Sequence, residues 1–591
     1  MQTDRGRSLS KYIVNPYAGA VLLIIAGLVA YSGTLDQPFH FDDIGNIADN
    51  PFIRDITNIP RFFIEIKGPP IAVRPLSSAT YALNYSISGL DTTSYHVLNI
   101  VLHIINGLLL YLLVLKCTRR LGMDWQMGNI SALVAALLFV AHPIQTESVS
   151  YLVTRSMLLA AFFYFSGFLV FLLAMEYKKG RWAFAITMGA VSFLGMSSRE
   201  DFVTFPLMLL VFDYMLVSGG SFKKVFRNIK LHAPAWLGLF YLAFLVMSHT
   251  YNKSGFGIED VTPYEYLITQ GRVHWTYLRM LVLPMGLNVD HDYPVSVSLL
   301  EPRTLIAFLG YLGIWASGAG LVRRRPVISF LILWFMITLT PASSIVPLAD
   351  VIFEHRLYIA SAGFFVLFAL LLVRIQNKAV LSGCIILLAV ALTAASYSRN
   401  LVWETSVSLW EDTVRKSPLK PRAHYNLGTV YREAGQVDLA IREYKRALEL
   451  QPVYPEADYN LAGAYMVRDR ADLAIRHYRS AIRGNPEDYM AHNNLSIALR
   501  IKGQYDEAIR EAKWALALKP GYVNALNNLA MGYLMKGNAA LAVEYLNESV
   551  SINPSRSVTY ENLAHAYNML GKYALEKDAL MKSLSLRQAG K

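Results

Sequence analysis

Cysteine is almost absent from this sequence, and the two that occur, Cys117 and Cys384, lie far apart along the chain. Two such residues provide neither a disulfide framework nor a set of cysteine metal ligands. A disulfide-stabilised scaffold and a cysteine-based zinc site are therefore excluded, and cysteine usage does not indicate the redox compartment.

Charged residues are also scarce, at 17% of 591 residues, whereas ordinary soluble domains contain about 25%. Hydrophobic residues reach 54% and are concentrated in the first two thirds, so a chain too long for one domain divides into two unlike parts. The net charge of +12 is spread in small groups between apolar runs, which is typical of the ends of membrane helices. We therefore expect a membrane protein that does not bind nucleic acid.

Apolar runs long enough to cross a bilayer, about 17–25 residues, recur through the first part. No A-x-A-type cleavage site follows the first run, so we expect an uncleaved first helix. Segment 264–286 contains Glu265, Arg272 and Arg279, and we predict that it is interfacial or re-entrant. The sequence thus predicts eleven crossings, near 14–32, 95–115, 130–152, 156–175, 182–197, 202–217, 233–249, 304–322, 327–346, 357–373 and 379–397.

Lysine and arginine in short loops predict the orientation. Alternating through eleven crossings, the basic groups all fall on the cytoplasmic side: Arg5, Arg7, Lys11; Lys116, Arg119, Arg120; Lys178, Lys179, Arg181; Lys223, Lys224, Arg227, Lys230; Arg323, Arg324, Arg325; Arg374, Lys378. This predicts a cytoplasmic N-terminus and an extracytoplasmic C-terminal part.

The loops assigned to the opposite side contain clustered ionisable residues, which at membrane depth usually mark a functional site. The clusters are Asp42 and Asp43; His142 and Glu147; Arg199, Glu200 and Asp201; Asp290, His291 and Asp292; and Glu354, His355 and Arg356. We interpret them as the walls of a reaction chamber. The alternative is that these loops are simply polar.

One helix contains His96, Asn99, His103 and Asn106, spaced three or four residues apart and therefore on one face. A metal site is one interpretation. Hydrogen bonding between helices is favoured, because these residue types join helices inside membranes.

The C-terminal part repeats every 34 residues. Proline recurs at Pro418, Pro452, Pro486, Pro520 and Pro554, and an Asn-Leu pair recurs with the same period. With leucine, a small residue, tyrosine and alanine at fixed offsets, this period indicates five tetratricopeptide hairpins over 421–588. The fifth has Glu576 where the others have alanine, as expected of a capping unit.

An asparagine precedes the leucine in every repeat, and these five residues are called the asparagine set: Asn426, Asn460, Asn494, Asn528 and Asn562. An amide side chain both donates and accepts, so the set suits an extended peptide backbone. Hydrogen bonding between helices is the alternative.

The ordered motifs resemble the transmembrane and tetratricopeptide-repeat O-mannosyltransferases of the GT-C class. They run in the family's order and lead into the repeats: FHFDDIGNIADNP (39–51), VRPLSSATYALNYSISGLDTTSYHVLNIVLH (73–103), AHPIQTESVSYLVTRSMLLAAFF (141–163), SSRED (197–201), LNVDHDYP (287–294), EHRLYIASAGF (354–364) and SRNLVWETSVSLWEDTVRKSP (398–418). The resemblance covers nearly the whole chain. It implies an all-α protein with a GT-C-type transmembrane domain at 1–400, a connecting segment at 401–420 and an α-solenoid at 421–591.

The resemblance also implies inverting transfer of a sugar from a polyprenyl-phosphate carrier to serine or threonine hydroxyls of extracytoplasmic proteins. Asp42 and Asp43 match the essential acidic position of the first loop and are the candidate catalytic bases. The candidate phosphate-binding residues are Arg74, Arg199, Arg356 and His355. EHR and SRE depart from the expected Glu-Arg and Lys-Glu pairs, which leaves the donor sugar open. The supporting acidic and polar residues are His142, Glu147, Glu200, Asp290, Asp292 and Glu354.

Partners and compartment follow from the same resemblance. We expect a lipid-linked sugar donor, a protein acceptor held in the repeat groove, and a bacterial inner membrane with the repeats in the periplasm. Asp290-His291-Asp292 has the appearance of a divalent metal site, but arginines can supply the same positive charge, so no cofactor is assigned. Two alternatives stay open: a non-catalytic membrane-anchored scaffold, and a GT-C enzyme that modifies a glycan or lipid.

Overall fold

The computed structural model describes residues 15–64, 74–177, 180–247, 261–343, 346–348 and 350–589. It divides the chain into two compact units, Met1–Leu409 and Trp410–Lys591. Every regular element within these described ranges is helical, as the sequence predicts. The basic residues Arg5, Arg7, Lys11, Lys178 and Lys179, on which part of the orientation argument rests, lie outside the described residues.

The first unit is built from helices of very different lengths. The α-helices of the described part are Pro16–Tyr31, Ile59–Ile64, Pro75–Ser88, Thr92–Arg120, Trp125–Ala141, Thr146–Ser150, Arg155–Glu176, Arg181–Ser198, Phe205–Phe212, Phe222–Arg227, Ile229–Ala235, Leu237–Met247, Pro263–Val282, Pro302–Gly320, Pro326–Leu339, Leu357–Leu372 and Lys378–Asn400. Their apolar side chains form one large buried core.

The longest helix, Thr92–Arg120, illustrates why the sequence folds locally in this way. The Asp91 carboxylate accepts the N–H of Thr93 at 3.0 Å and caps the N-terminus. Arg119 and Arg120 lie in the last turn, where they complement the helix dipole. Its 29 residues correspond to about 43 Å, which exceeds the hydrocarbon thickness of a bilayer.

Fewer helices can span a membrane than the sequence predicts. Among the described residues, five are long and apolar enough: Pro16–Thr34, Thr92–Arg120, Leu152–Glu176, Glu354–Leu372 and Lys378–Trp403. A sixth arises if Trp125–Ala141 and Pro143–Ser150, bent by 51° at a break, form one span. These helices are consistent with a membrane protein, but the prediction of eleven crossings is wrong.

Breaks and polar residues explain the five predicted crossings that fail. The run at 202–217 contains an α-helix of only eight residues, Phe205–Phe212, and the run at 233–249 is interrupted after Ala235, next to Pro234. The run at 327–346 ends as a helix at Leu339. Arginine, glycine and serine dilute the apolar character of the helices at 182–197 and 304–322. Hydropathy summed along the sequence does not detect where a helix breaks.

The predicted orientation depends on the number of crossings, because each loop was assigned to a side of the membrane by counting through eleven crossings. With five or six spans this count no longer assigns the loops, so the location of each loop stays a prediction. The helix Pro263–Val282 is not among the candidate spans of the described chain.

The polar residues of helix Thr92–Arg120 bind other segments of the first unit. The amides of Asn99 and Asn106 donate to the carbonyls of Val149 at 3.0 Å and Leu158 at 2.9 Å. The His103 ring contacts the Tyr358 hydroxyl at 2.7 Å and the Val140 carbonyl at 3.1 Å, and His96 contacts the Gln37 carbonyl at 3.1 Å. These bonds match the interpretation that the stripe joins helices.

The second unit contains the five predicted hairpins. Their helix pairs are Pro421–Glu433 with Val437–Leu450, Pro455–Val467 with Ala471–Gly484, Tyr489–Ile501 with Tyr505–Leu518, Val523–Met535 with Ala539–Ile552, and Ser557–Met569 with Tyr573–Ala589. A Cβ on Gly428 would lie 2.8 Å from the Tyr444 ring, so only glycine permits this close approach within the first hairpin. Glu576 of the fifth hairpin is partly exposed and accepts from Asn568, unlike the buried alanines of the other repeats.

Candidate active site

The paired acidic residues of the first loop lie in a tight turn formed by His40, Phe41, Asp42 and Asp43. The N–H of Asp43 donates to the His40 carbonyl at 2.8 Å, and the Asp43 carboxylate accepts from the N–H of His40 at 3.1 Å. His40 and Asp43 are buried, whereas Phe41 and Asp42 are exposed. The turn therefore presents one of the two adjacent carboxylates and encloses the other.

Asp43 attaches the turn to the rest of the unit. Its carboxylate accepts the N–H of Val153 at 2.7 Å, in addition to the N–H of His40. Burial raises the pKa of Asp43 to about 7, although the backbone donors of His40, Val153 and Leu152 act in the opposite direction; the charge of Asp42 adds to the rise. A buried carboxylate with such partners stabilises the loop, so Asp42 is the more accessible of the two candidate bases.

Tyr151 is a partner of Asp42 that sequence reasoning missed. Its hydroxyl accepts the N–H of Asp42 at 3.0 Å and is also hydrogen-bonded to the Asp42 side chain. The Tyr151 ring is buried, with its centroid 5.8 Å from that of Trp403. The available signal was its place in the motif AHPIQTESVSYLVTRSMLLAAFF, four residues after Glu147.

Two of the predicted arginines meet at one serine. The Arg74 guanidinium binds both carboxylate oxygens of Glu200, at 2.8 and 3.3 Å, and Arg199 binds Asp201 at 2.5 Å. Both arginines also reach Ser156 Oγ, at 3.5 and 3.1 Å. Burial opposes ionisation of Glu200, but the charges of Arg74 and Arg199 outweigh it and lower its pKa to about 2. Glu200 is therefore an anion that orients Arg74.

The third arginine adjoins a histidine–carboxylate pair. His355 contacts Glu147 through its backbone N–H at 3.1 Å and its Nδ1 at 2.7 Å. Arg356 donates to the carbonyls of Asp350 at 2.9 Å and Val351 at 3.3 Å. The Glu147 carboxylate thus holds His355 in place, while backbone carbonyls hold the arginine.

The arginines, His355 and the acidic turn are also related through charge interactions. Arg74, Arg199 and Arg356 all lie close enough to His355 to interact with it through their charges. Tyr81 is in the same way within range of Asp43, Arg74 and Arg199. Arg74 and Arg199 are therefore within range of groups that also interact with the acidic turn on one side and with His355 and Arg356 on the other.

The Asp-His-Asp motif does not form a set of three ligands. His291 Nε2 lies 3.0 Å from Glu354 Oε1, which also accepts the N–H of Asn288 at 2.5 Å. Asp290 is buried, whereas Asp292 is exposed. No group of three metal-ligating side chains occurs among the described residues. Glu354 instead links this loop to the segment that contains His355 and Arg356.

His142 has a local structural role. Its Nδ1 accepts the N–H of Ile144 at 3.2 Å, which caps the short turn after the bend at Pro143. Arg155, which sequence reasoning also missed, is fully buried and binds the side-chain oxygens of Asn99 at 2.7 Å and Asn84 at 2.6 Å. Both side chains stabilise the scaffold around the site.

The asparagine set of the second unit makes contacts between neighbouring repeats. The amides of Asn460 and Asn494 donate to the hydroxyls of Tyr425 at 3.1 Å and Tyr459 at 2.8 Å. In later repeats the same amide donates to another asparagine: Asn528 to Asn493 at 2.8 Å and Asn562 to Asn527 at 3.1 Å. The Asn426 amide nitrogen is buried and has no hydrogen-bond partner in the described structure. Four of the five amides thus join adjacent repeats, as the alternative interpretation predicts, and peptide binding by the set stays a prediction.

The two units together define an all-helical protein with apolar membrane-type helices followed by a repeat array. A model of the tetratricopeptide repeat matches residues 394–455, 425–489, 459–521 and 493–557, which confirms the repeats.

Over most of its length the chain is similar to proteins named for O-mannosyl transfer. It is 27% identical over 462 residues to Protein O-mannosyl-transferase F38B6.6 of Caenorhabditis elegans, which covers 73% of this chain and 62% of that protein. It is 24% identical over 481 residues to Protein O-mannosyl-transferase TMTC3 of Homo sapiens, covering 73% and 51%. The matches thus span about half to three fifths of these relatives. The predicted resemblance is confirmed: the chain is a relative of the transmembrane and tetratricopeptide-repeat O-mannosyltransferases.

Among solved structures, the crystal structure of MamA matches 28% of this chain and 96% of its own, with 25% identity and a TM-score of 0.26.

Proposed function

We propose that this chain is a membrane glycosyltransferase that moves mannose or another hexose from a polyprenyl-phosphate carrier to serine or threonine hydroxyls of proteins. The observation that carries the proposal is the exposed Asp42 on a fixed turn, whose neighbour Asp43 lies within electrostatic range of Tyr81 together with Arg74 and Arg199. The names of the relatives support mannose and a protein acceptor.

The reaction is a single displacement at the anomeric carbon. The acceptor oxygen forms a bond to this carbon as the bond to the phosphate oxygen breaks, so the configuration inverts. The acceptor proton passes to the Asp42 carboxylate, which acts as general base. The electron pair of the broken bond stays on the lipid phosphate.

The arginines stabilise the leaving phosphate. Negative charge grows on its oxygens as the bond breaks, and a guanidinium can bind two such oxygens at once. Arg74 and Arg199 are oriented by Glu200 and Asp201, and Arg356 by backbone carbonyls, so their positions are set before the donor binds. We propose that these charges serve without a divalent metal; full transfer after EDTA treatment supports this, and loss that Mg²⁺ or Mn²⁺ restores contradicts it.

The repeat array is proposed to hold the protein acceptor and so raise its local concentration at the membrane site. Four of the five asparagine amides are engaged between repeats, so acceptor binding by the set relies on their carbonyl oxygens. The site and the array are proposed to face the extracytoplasmic side, with the N-terminus in the cytoplasm.

The test uses the purified full chain with polyprenyl-phosphate mannose and a serine- and threonine-containing protein acceptor. Asp42→Asn should reduce transfer by about 100-fold or more, the usual contribution of a general base, and leave the melting temperature nearly unchanged because Asp42 is exposed. Asp43→Asn should instead lower the melting temperature, since it weakens an acceptor of backbone N–H groups.

Asp49→Asn is the matched control, because Asp49 is an exposed carboxylate of the same loop, and it should transfer at the normal rate. Normal transfer by Asp42→Asn would refute the assignment of the base. No transfer by the unaltered chain to any acceptor would favour the scaffold. Transfer to a glycan or lipid but not to protein would favour the related GT-C activity.

A further inference from the structure

An apolar cavity lies between helices of the first unit. Its volume is about 290 Å³, and its lining is apolar except for Cys117 and Thr118. The Thr118 hydroxyl already donates to the Leu115 carbonyl of its own helix at 3.1 Å. A buried water needs about two to four polar partners, which this lining does not offer. The cavity therefore suits an apolar ligand.

The cavity has the length of a lipid chain in one leaflet. Its lining follows the longest helix from Leu110 to Leu121, which corresponds to about 16 Å, and a second helix from Ala362 to Leu370, which corresponds to about 12 Å. One leaflet contributes about 15 Å, half of the hydrocarbon thickness of a bilayer. Both helices are candidate membrane spans, which brings the cavity within reach of lipid chains.

One end of the cavity adjoins two arginines. Leu121 and Gly122 line this end, are exposed, and directly follow Arg119 and Arg120. Arg120 is within electrostatic range of the Cys117 thiol, which lines the cavity one turn earlier. An anionic group bound by Arg120 would therefore lie beside the mouth of the cavity.

Two further helices that line the cavity bring arginines to the same end. Tyr358 lies at the start of one of them and contacts His103 of the longest helix at 2.7 Å. Trp334, near the end of Pro326–Leu339, donates to the Ile359 carbonyl at 2.9 Å. The opposite ends of the three helices therefore lie side by side beyond the cavity. The arginines at these ends are Arg119, Arg120, Arg323, Arg324, Arg325 and Arg374.

These arginines are available to a ligand. Apart from Arg119, which lies over the Trp125 ring at 3.8 Å, their exposed side chains form no hydrogen bond or ion pair with residues that the structure describes. Tryptophan is enriched at the membrane–water interface, so Trp125 indicates that the arginines lie at the level of lipid head groups. Arginines at helix ends also orient membrane proteins, but orientation alone does not require a cavity next to them.

We propose that the cavity and these arginines bind an anionic phospholipid, with one acyl chain in the cavity and the phosphate at Arg120, Arg325 and Arg374. A guanidinium binds phosphate oxygens in pairs, and basic pockets between membrane helices suit anionic head groups. The site is separate from the proposed transfer site, because Arg356 precedes the helix Leu357–Leu372 and Arg374 follows it. It therefore does not depend on the proposed transfer reaction.

Binding of two lipids with different head groups tests the role of the arginines. Phosphatidylglycerol, which is anionic, and phosphatidylcholine, which is zwitterionic, are used with identical acyl chains. Each is titrated into the full chain in detergent, and native mass spectrometry counts the bound lipids. The unaltered chain should bind phosphatidylglycerol more tightly than phosphatidylcholine. Arg120→Gln should weaken phosphatidylglycerol binding about fivefold and leave phosphatidylcholine binding unchanged. Arg303→Gln is the control and should bind normally, because Arg303 is an exposed arginine on a helix that does not line the cavity.

Filling the cavity tests the position of the acyl chain. Val114 is buried and lines the cavity, so Val114→Phe should weaken phosphatidylglycerol binding about tenfold, the contribution of about two methylene groups. In lipid-free detergent its melting temperature should equal or exceed that of the unaltered chain, because the ring occupies empty space. Val101→Phe is the control and should bind normally, since Val101 is 44% exposed on the same helix and does not line the cavity.

Several results would overturn this assignment. They are equal affinity of the unaltered chain for the two lipids, weaker phosphatidylglycerol binding in only one of Arg120→Gln and Val114→Phe, and displacement of phosphatidylglycerol by an equal amount of polyprenyl phosphate. The last result would assign the cavity to the chain of the sugar donor. If Val114→Phe has a lower melting temperature, Val366→Phe, which alters another residue of the lining, is tested in the same way. Lower melting temperatures of both variants would show that the space is not open to a ligand.

Discussion

The hydroxyl of Tyr151 accepts the backbone N–H of Asp42 at 3.0 Å, across 109 residues of sequence. It is also hydrogen-bonded to the side chain of the same residue, so one buried phenol fixes both the backbone and the carboxylate of the candidate base. Tyr151 acts through Asp42 and is a positioning residue.

The first prediction concerns Tyr151→Phe, which removes the hydroxyl and keeps the ring. Loss of a hydrogen-bond donor disfavours the ionised form of a carboxylate. The acidic limb of the kcat/KM pH profile should therefore move to higher pH by about one unit, with a larger rate loss on that limb than at pH 8. A uniform loss at every pH would indicate that Tyr151 only supports the fold.

The second prediction concerns the pair of Arg74 and Glu200. Glu200→Gln removes the anion that orients Arg74, so kcat/KM for the donor should fall about tenfold, with a lower kcat because Arg74 is proposed to stabilise the charge that grows on the phosphate. The two side chains are 30% and 32% exposed, so the effect on stability should stay below about 1 kcal/mol. The control is Glu176→Gln, which breaks the exposed pair of Lys116 and Glu176. An unchanged kcat/KM, or the same loss in Glu176→Gln, would contradict this role.

The third prediction concerns pH and His492 in the repeats. Its Nδ1 contacts Glu511 at 2.6 Å and its Nε2 contacts the Pro486 carbonyl at 3.2 Å. Only the protonated ring has an N–H for both acceptors. The hydrogen bond to Glu511 raises the pKa of His492, burial opposes this, and the Pro486 carbonyl adds to the rise.

Since this pKa is raised by folding, the stabilisation is complete below the ordinary histidine pKa of about 6.5 and is lost as the pH rises through the folded-state value. Hydrogen-exchange protection of 489–518 in the full chain, corrected for intrinsic rates, should fall by about 1 kcal/mol between pH 6 and 9. His492→Gln should abolish most of this change, whereas His565→Gln, which alters an exposed histidine, should not. Equal pH dependence in both variants would contradict the prediction.

The fourth prediction concerns Asn460, Asn494 and Asn528. Replacing all three with alanine should lower the stability of the array by about 2–3 kcal/mol, because each amide bonds to the preceding repeat. If their oxygens also bind acceptor, transfer to a whole protein should fall below transfer to a short peptide that cannot span the groove. Equal transfer losses for both acceptors would restrict the set to joining repeats.

The fifth prediction concerns orientation. Alkaline phosphatase fused after residue 410 should be active and a fusion after Lys179 inactive, because the enzyme needs an extracytoplasmic location. The opposite pattern would reverse the proposed sides of the membrane.

The sequence-based predictions are accurate for features that depend on residues close together in the sequence. They are less accurate for features that depend on contacts between distant segments. Six predicted membrane runs correspond to long apolar helices or the bent pair, but 202–217 and 233–249 are broken and 327–346 is shortened. Clustering of polar loop residues predicted the arginines and acidic residues of the candidate site, and their role there stays a prediction. It did not distinguish Glu200, which orients an arginine, from His142, which caps a turn.

The sequence by itself determined the five hairpins and the apolar helices. The 34-residue period and the hydropathy of each run depend only on the order of residues along the chain. Only the tertiary structure decided which of Asp42 and Asp43 is exposed. Two adjacent carboxylates are equivalent in a sequence, and they differ here because the N–H of Val153, 110 residues away from Asp43, and the hydroxyl of Tyr151 bind different members of the pair.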